Sequence, residues 1–172
     1  MKIGDAAWMD TLREVVAPQC DQPVRAVGLA WAVGLEQAIN AWAARRIYNA
    51  SAYDSADIGS QHHMLPGMPD ASGLATHVVL AVTDDAVHAF EPKYKVSVLG
   101  RVKPPEIKHT LGSWSRTGLE VSVGPPATAR LMGWPVEGRP LTLELPATGE
   151  RHDLTIGVTA HDDEFLAVLT AR

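Results

Sequence analysis

A chain of 172 residues, 46% hydrophobic and 20% charged, carries enough apolar material for a core and too much for a disordered polymer. Its net charge of −5 gives no global attraction to nucleic acid or to an anionic membrane, and its single cysteine, Cys20, excludes an intrachain disulfide. The start, MKIGDAAWMD, is not a secretory signal, and the uncharged run from Ala26 to Leu35 is too short to cross a bilayer, so the expected setting is cytoplasmic.

The first sixty residues read as helical. DAAWMDTLREVVAPQ spaces Trp8, Leu12, Val15 and Val16 along one helix face, with Asp5 placed to cap it and Pro18 to stop it. QPVRAVGLAWAVGLEQAINAWAARRIYNA, residues 22 to 50, predicts a second helix. Trp31, Leu35, Ile39 and Trp42 recur every three or four residues, Pro23 suits the first turn, and Arg45 and Arg46 suit the end. Gly28, Ala32, Gly34 and Ala38 would let a neighbour approach closely. Such a stripe serves either the chain's own core, the expected use, or a homo-oligomer contact through the N-terminal helices. Residues 51–73 are rich in Ser, Asp, Gly and Pro and read as a linker. The expected organisation is a helical segment over 1–50, that linker, and a β domain over 74–172.

From Thr76 onward the period becomes two. Val78, Leu80 and Val82 alternate, TDDA turns the chain, and VHAFE runs back. Five further strands are expected: Tyr94–Val102, residues 106–112, residues 118–124, residues 140–146 and residues 150–158. ATGE reads as the turn between the last two. A final helix over HDDEFLAVLTAR would bury Phe165, Leu166 and Leu169, with Asp162 or Asp163 as its cap. The expected fold class is α+β: N-terminal helices, then seven antiparallel strands bent into a barrel and plugged by the C-terminal helix.

This pattern resembles a bacterial PH-like domain over residues 74 to 172. LAVTDDAVHAFE matches the first hairpin, VLGRVKPPEI the third strand entering the fourth, TGLEVSV the fifth, and PLTLELPATGERHDLTIGV with DDEFLAVLTAR the last hairpin and helix. The resemblance implies a non-catalytic module that binds peptides, proteins or lipid headgroups. GPPATARLMGWPVEGR, residues 124–139, is longer than a simple turn, so it either is an insertion relative to that pattern or holds a further strand, and the N-terminal half has no counterpart in it. The two aspartates of TDDA stand where a phosphoinositide pocket carries cations, so headgroup phosphate binding is not expected.

The strongest charge feature is residues 93–116, where six basic side chains face one acid. Lys93, Lys95, Arg101 and Lys103 share one parity and the apolar Tyr94, Val96, Val98 and Val102 the other. With Lys108 they form either a solvated strand face kept soluble by its cations or a docking face for an acidic protein partner or an anionic lipid surface. Trp114 and Trp134 sit in loops flanked by Gly or Pro and are expected either as interface anchors or folded back onto the chain's own core. Nucleic acid is a poor fit, because aromatic platforms do not alternate with the cations. His62, His63, His77, His88, His109, His152 and His161 are scattered, and neither HHMLPGM nor HDDE has metal-site spacing. No nucleophile elbow, phosphate loop or dinucleotide fingerprint occurs. The expectation is a non-catalytic binding or assembly module with no cofactor and no metal; the rival is a small metal-dependent enzyme built from scattered His, Asp and Glu.

Overall fold

The computed structural model describes residues 5–31, 77–93, 105–131, 134–157 and 159–171. Helix α1, Ala6–Val16, starts where the sequence predicts. Asp5 is extended, and its carboxylate accepts the Trp8 amide at 2.9 Å, satisfying one orphan donor of the first turn. Pro18 cannot continue the ladder, and the chain tightens into a short 3-10 turn over Ala17–Gln19. The helix buries Trp8, Met9, Leu12 and Val16 against Val27, Leu29, Val79, Ala81 and Phe90. Four such side chains at about 1.5–3 kcal/mol each outweigh a cap worth ~1 kcal/mol, so packing holds α1 to the sheet.

The next segment corrects the sequence reading. Ala26–Trp31, expected inside a second helix, is strand β1. It lies between β2, His77–Val82, and β8, Glu150–Gly157, antiparallel to both. Val27 and Leu29 face α1, while Ala26 and Ala30 face the C-terminal helix α2, Asp162–Thr170. A strand covered on both faces has no polar parity, so AVGLA lacks the alternation that marks a half-exposed strand. The same cause makes β2 apolar throughout: Val78 to Val82 are all fully buried. Residues 32–50 of the expected second helix, and the expected linker over 51–73, lie outside the described residues. Among the described residues there is one N-terminal helix rather than two.

The remaining strands are β3 (Ala86–Lys93), β4 (Glu106–Ser115), β5 (Glu120–Val123), β6 (Ala127–Leu131) and β7 (Trp134–Leu145). The sheet order is β4-β3-β2-β1-β8-β7-β5, with β6 paired to the first part of β7, and every pairing is antiparallel. The described residues hold eight strands, against seven expected over residues 74–172. The expected strand over Tyr94–Val102 lies outside the described residues, while β1 and β6 are additional. Residues 124–139 are not a plain insertion: they supply β6 and the start of β7. The expected closed barrel is also corrected. Among the described residues β4 and β5 end the sheet on opposite sides and share no ladder, so the barrel is not closed.

Both predicted hairpin turns are present. At Thr83–Ala86 the Thr83 amide donates to the Ala86 carbonyl at 2.9 Å, and the Thr83 hydroxyl accepts the Ala86 amide at 3.1 Å. At the β7–β8 turn Gly149 takes a φ of +74°, open to glycine without steric cost, and donates to the Leu145 carbonyl at 2.9 Å. Helix α2 buries Phe165, Leu166 and Leu169, as expected, but its N-cap residue is His161. Asp162 is the first helical residue, and its carboxylate reaches back to accept the Thr159 amide at 2.6 Å.

Candidate docking groove at the open end of the sheet

The chain passes from edge strand β4 to edge strand β5 through Arg116–Leu119. Gly118 allows that tight crossing, with a φ of +85°. Arg116 fixes it in place. Its amide donates to the Asp85 carbonyl at 2.8 Å, and its guanidinium donates to the carbonyls of Thr83 at 3.2 Å, Val168 at 2.9 Å and Ala171. One side chain thus joins the β2–β3 turn, the β4–β5 crossing and the end of α2. A cation is also favoured there by the helix dipole, and it satisfies carbonyls that the helix leaves without partners. We expect Arg116→Met to cost about 1–3 kcal/mol, because the orphaned carbonyls lose charge-assisted donors. Denaturant unfolding reads the loss, and hydrogen exchange should accelerate in the last turn of α2; unchanged exchange there would refute this role.

The β2–β3 turn is held from its other side by the segment after α1. Arg25 donates twice to the Asp84 carboxylate at 2.8 Å, and the Gln22 amide donates to Asp85 at 2.5 Å. The Arg25 hydrogen bond holds the Asp84 carboxyl below the ordinary aspartate range, against a smaller opposing effect of desolvation. The aspartates of TDDA therefore have structural partners.

Between these elements lies a groove of about 740 Å³. Leu119, Val121 and Leu169 give it apolar surface, and Asp84, Arg116 and Glu120 give it charge. Its carboxylates are not alike. Asp84 is paired with Arg25, whereas Glu120 has no ion-pair partner among the described residues. Glu120 is directly opposite Glu144 in the β5–β7 register, and Arg151, opposite Glu144 on β8, lies 3.8 Å from Glu144 but 3.0 Å from Asp153.

Inside the curl, Trp114 joins the two halves of the open sheet. Its indole donates to Glu150 at 2.9 Å, and the same carboxylate oxygen is 2.7 Å from His152 Nε2. The Trp114 and His152 rings lie 4.7 Å apart. Trp114 is 6% exposed and His152 3%. The hydrogen bond from Trp114, then that from His152, holds the Glu150 carboxyl below its ordinary range. Sequence reasoning missed this trio, and no spacing signals it, because Trp114 on β4 and Glu150 on β8 lie 36 residues apart in the chain.

The expected contacts are distributed as follows. Trp114 is in β4 rather than a loop, and of its two expected roles it takes burial in the core. Trp134 is the first residue of β7 and pairs with Leu131. Lys93 ends β3 opposite Glu106. Lys108 in β4 is engaged with Glu91 at 3.2 Å. Lys95, Arg101 and Lys103 lie outside the described residues. Of the histidines, His62 and His63 also lie outside them. His88 stacks near Phe90, where burial lowers its pKa against the opposing charge of Asp21. His161 lies 3.2 Å from Asp10 of α1. Among the described residues no three His, Cys, Asp or Glu side chains converge as a metal site, and no helix is long and apolar enough to cross a membrane. Cys20 is half-buried against the α1 core, and burial raises its thiol pKa.

No protein-family model matches the chain, and no curated protein and no solved structure matches it either.

Proposed function

We propose that the protein is a PH-like, non-catalytic binding module that docks a protein partner in the groove at the open end of its sheet. The observation that carries this reading is the state of the groove's side chains. Arg116 is spent on three backbone carbonyls and Asp84 on Arg25, so these two charged groups build the fold. What remains for a ligand is the half-buried Val121, the exposed Pro146 and Ala147 and the Glu120 carboxylate, beside a strand edge, which is a recognition surface. Contact through Lys93 and Lys108 belongs to the same proposal for an acidic partner, but Lys108 would have to exchange Glu91 for it.

The test is comparative affinity capture from the source cells, with wild type, Thr117→Trp in the groove and Glu14→Trp on the exposed side of α1. Thr117 lines the groove and Glu14 does not. A partner retained by wild type and Glu14→Trp but lost from Thr117→Trp supports the reading. Identical captures from all three would overturn it.

A further inference from the structure

We infer that the groove's ligand is an extended segment that adds as a strand along the outer edge of β5 and carries apolar, any, apolar, basic residues in succession. The inference rests on the docking reading above and names the ligand's chemistry.

Three observations point the same way. First, β5 is an edge. It pairs with β7 on one side, no described strand pairs with its other side, and its first two residues, Glu120 and Val121, line the groove. A strand edge presents a row of amides and carbonyls spaced to receive another extended backbone.

Second, the inner face of β5 is progressively short of cover. Leu119, just before it, is buried, Val121 is half-buried, and Val123 is 36% exposed, the one large exposed apolar side chain among the described residues. These residues occupy one parity, so a strand added alongside would place its own apolar side chains beside Val121 and Val123.

Third, the outer face has a charge defect at the same edge. Glu120 and Glu144 are directly opposite, a repulsive cross-strand pair, and Arg151 is shared between Glu144 and Asp153. Glu120 faces Glu144 on its β7 side, and no described strand pairs with it on the other. A lysine or arginine opposite Glu120 on an added strand would occupy that side and complete a cross-strand ion pair. The periodicity sets the rest: a residue opposite Glu120 faces outward, and its neighbours opposite Val121 and Val123 face inward on alternate positions.

The probe is a fluorescein-labelled peptide repeating valine, threonine, valine, lysine, titrated against the full chain by fluorescence polarisation. Controls replace lysine by glutamate, or methylate alternate backbone nitrogens. Wild type should prefer the lysine peptide over the glutamate peptide by roughly tenfold, the size expected when a cross-strand charge pair changes sign. Glu120→Lys should reverse that preference. It also removes the repulsion with Glu144, so the variant should fold at least as well as wild type. Methylation should abolish binding, because it deletes ladder donors while keeping charge and side chains. Equal binding of both charge forms, undiminished binding of the methylated peptide, or no binding at all would each overturn the inference. If the peptides fail while Thr117→Trp still loses its captured partner, strand addition falls and the docking reading stands. If neither shows an effect, both fall.

Discussion

Gly28→Ala should destabilise the protein by about 1–3 kcal/mol, and Gly28→Val by more, although neither changes a charge or a hydrogen bond. Gly28 lies in the middle of β1, and a Cβ added there would stand 2.6 Å from two ring atoms of Phe165. Two effects compete. Replacing glycine in a strand stabilises by about 0.4–1 kcal/mol through the unfolded chain. Against that stands a contact far inside van der Waals distance. The ring is 1% exposed and carried by α2, so it cannot swing into solvent without moving the helix. Steric cost therefore wins. The discriminating measurement is a double-mutant cycle. Phe165→Ala alone should cost about 3–5 kcal/mol, and adding Gly28→Ala to it should cost nearly nothing. Additive losses would show that Gly28 does not owe its identity to the Phe165 ring.

That same contact explains which parts of the fold were legible in the sequence. α1 was, because its apolar residues lie on one face and Asp5 and Pro18 mark its ends. β2, β3, β7 and β8 were, because turn residues separate them and, in β7 and β8, Leu141, Leu143, Leu154 and Ile156 alternate with polar neighbours. β1 was not. It is sandwiched between α1 and α2, so both parities are apolar, and its small residues make room for Phe165. In one dimension that combination reads as a wide helical stripe with close-packing positions. The strand at Ala127–Leu131 was hidden differently: Pro125 and Pro126 precede it, and the bend at Gly124 interrupts the edge between β5 and β6.

The candidate groove was less legible than the fold. Lys93 and Lys108 were visible as part of a charge run, but the side chains that shape the groove come from four separate places in the chain. Arg116 was counted within the basic run, yet its partners are backbone carbonyls at Thr83, Val168 and Ala171, a pairing that no spacing encodes. Glu120 and Glu144 acquire meaning only through the register that makes them opposite.

Trp114→Ala should be the most damaging single truncation of the open barrel, at about 3–5 kcal/mol, because it removes the ring that joins β4 to β8 across the interior. Part of that loss is volume and part is a polar defect, and two further variants separate them. Trp114→Phe keeps most of the apolar contact with His152 but deletes the indole donor to Glu150, for about 1–2 kcal/mol. Glu150→Gln keeps an acceptor oxygen but removes the charge, and it turns the trio into a pH experiment. The Glu150 carboxyl titrates below its ordinary value of 4.5 in the folded protein. A lowered folded-state value means that the charged form contributes stability above the unfolded value, and that this contribution fades as pH falls through it and below. Wild type should therefore be more stable than Glu150→Gln at pH ~6, and the gap should close as pH falls below 4.5 and through the lowered folded-state value. Denaturant midpoints measured across that window test the sign directly. A gap that stays constant would place the effect of Glu150 in packing, and a gap that widens on acidification would reverse the assignment of the carboxylate as the charged acceptor of the two buried rings.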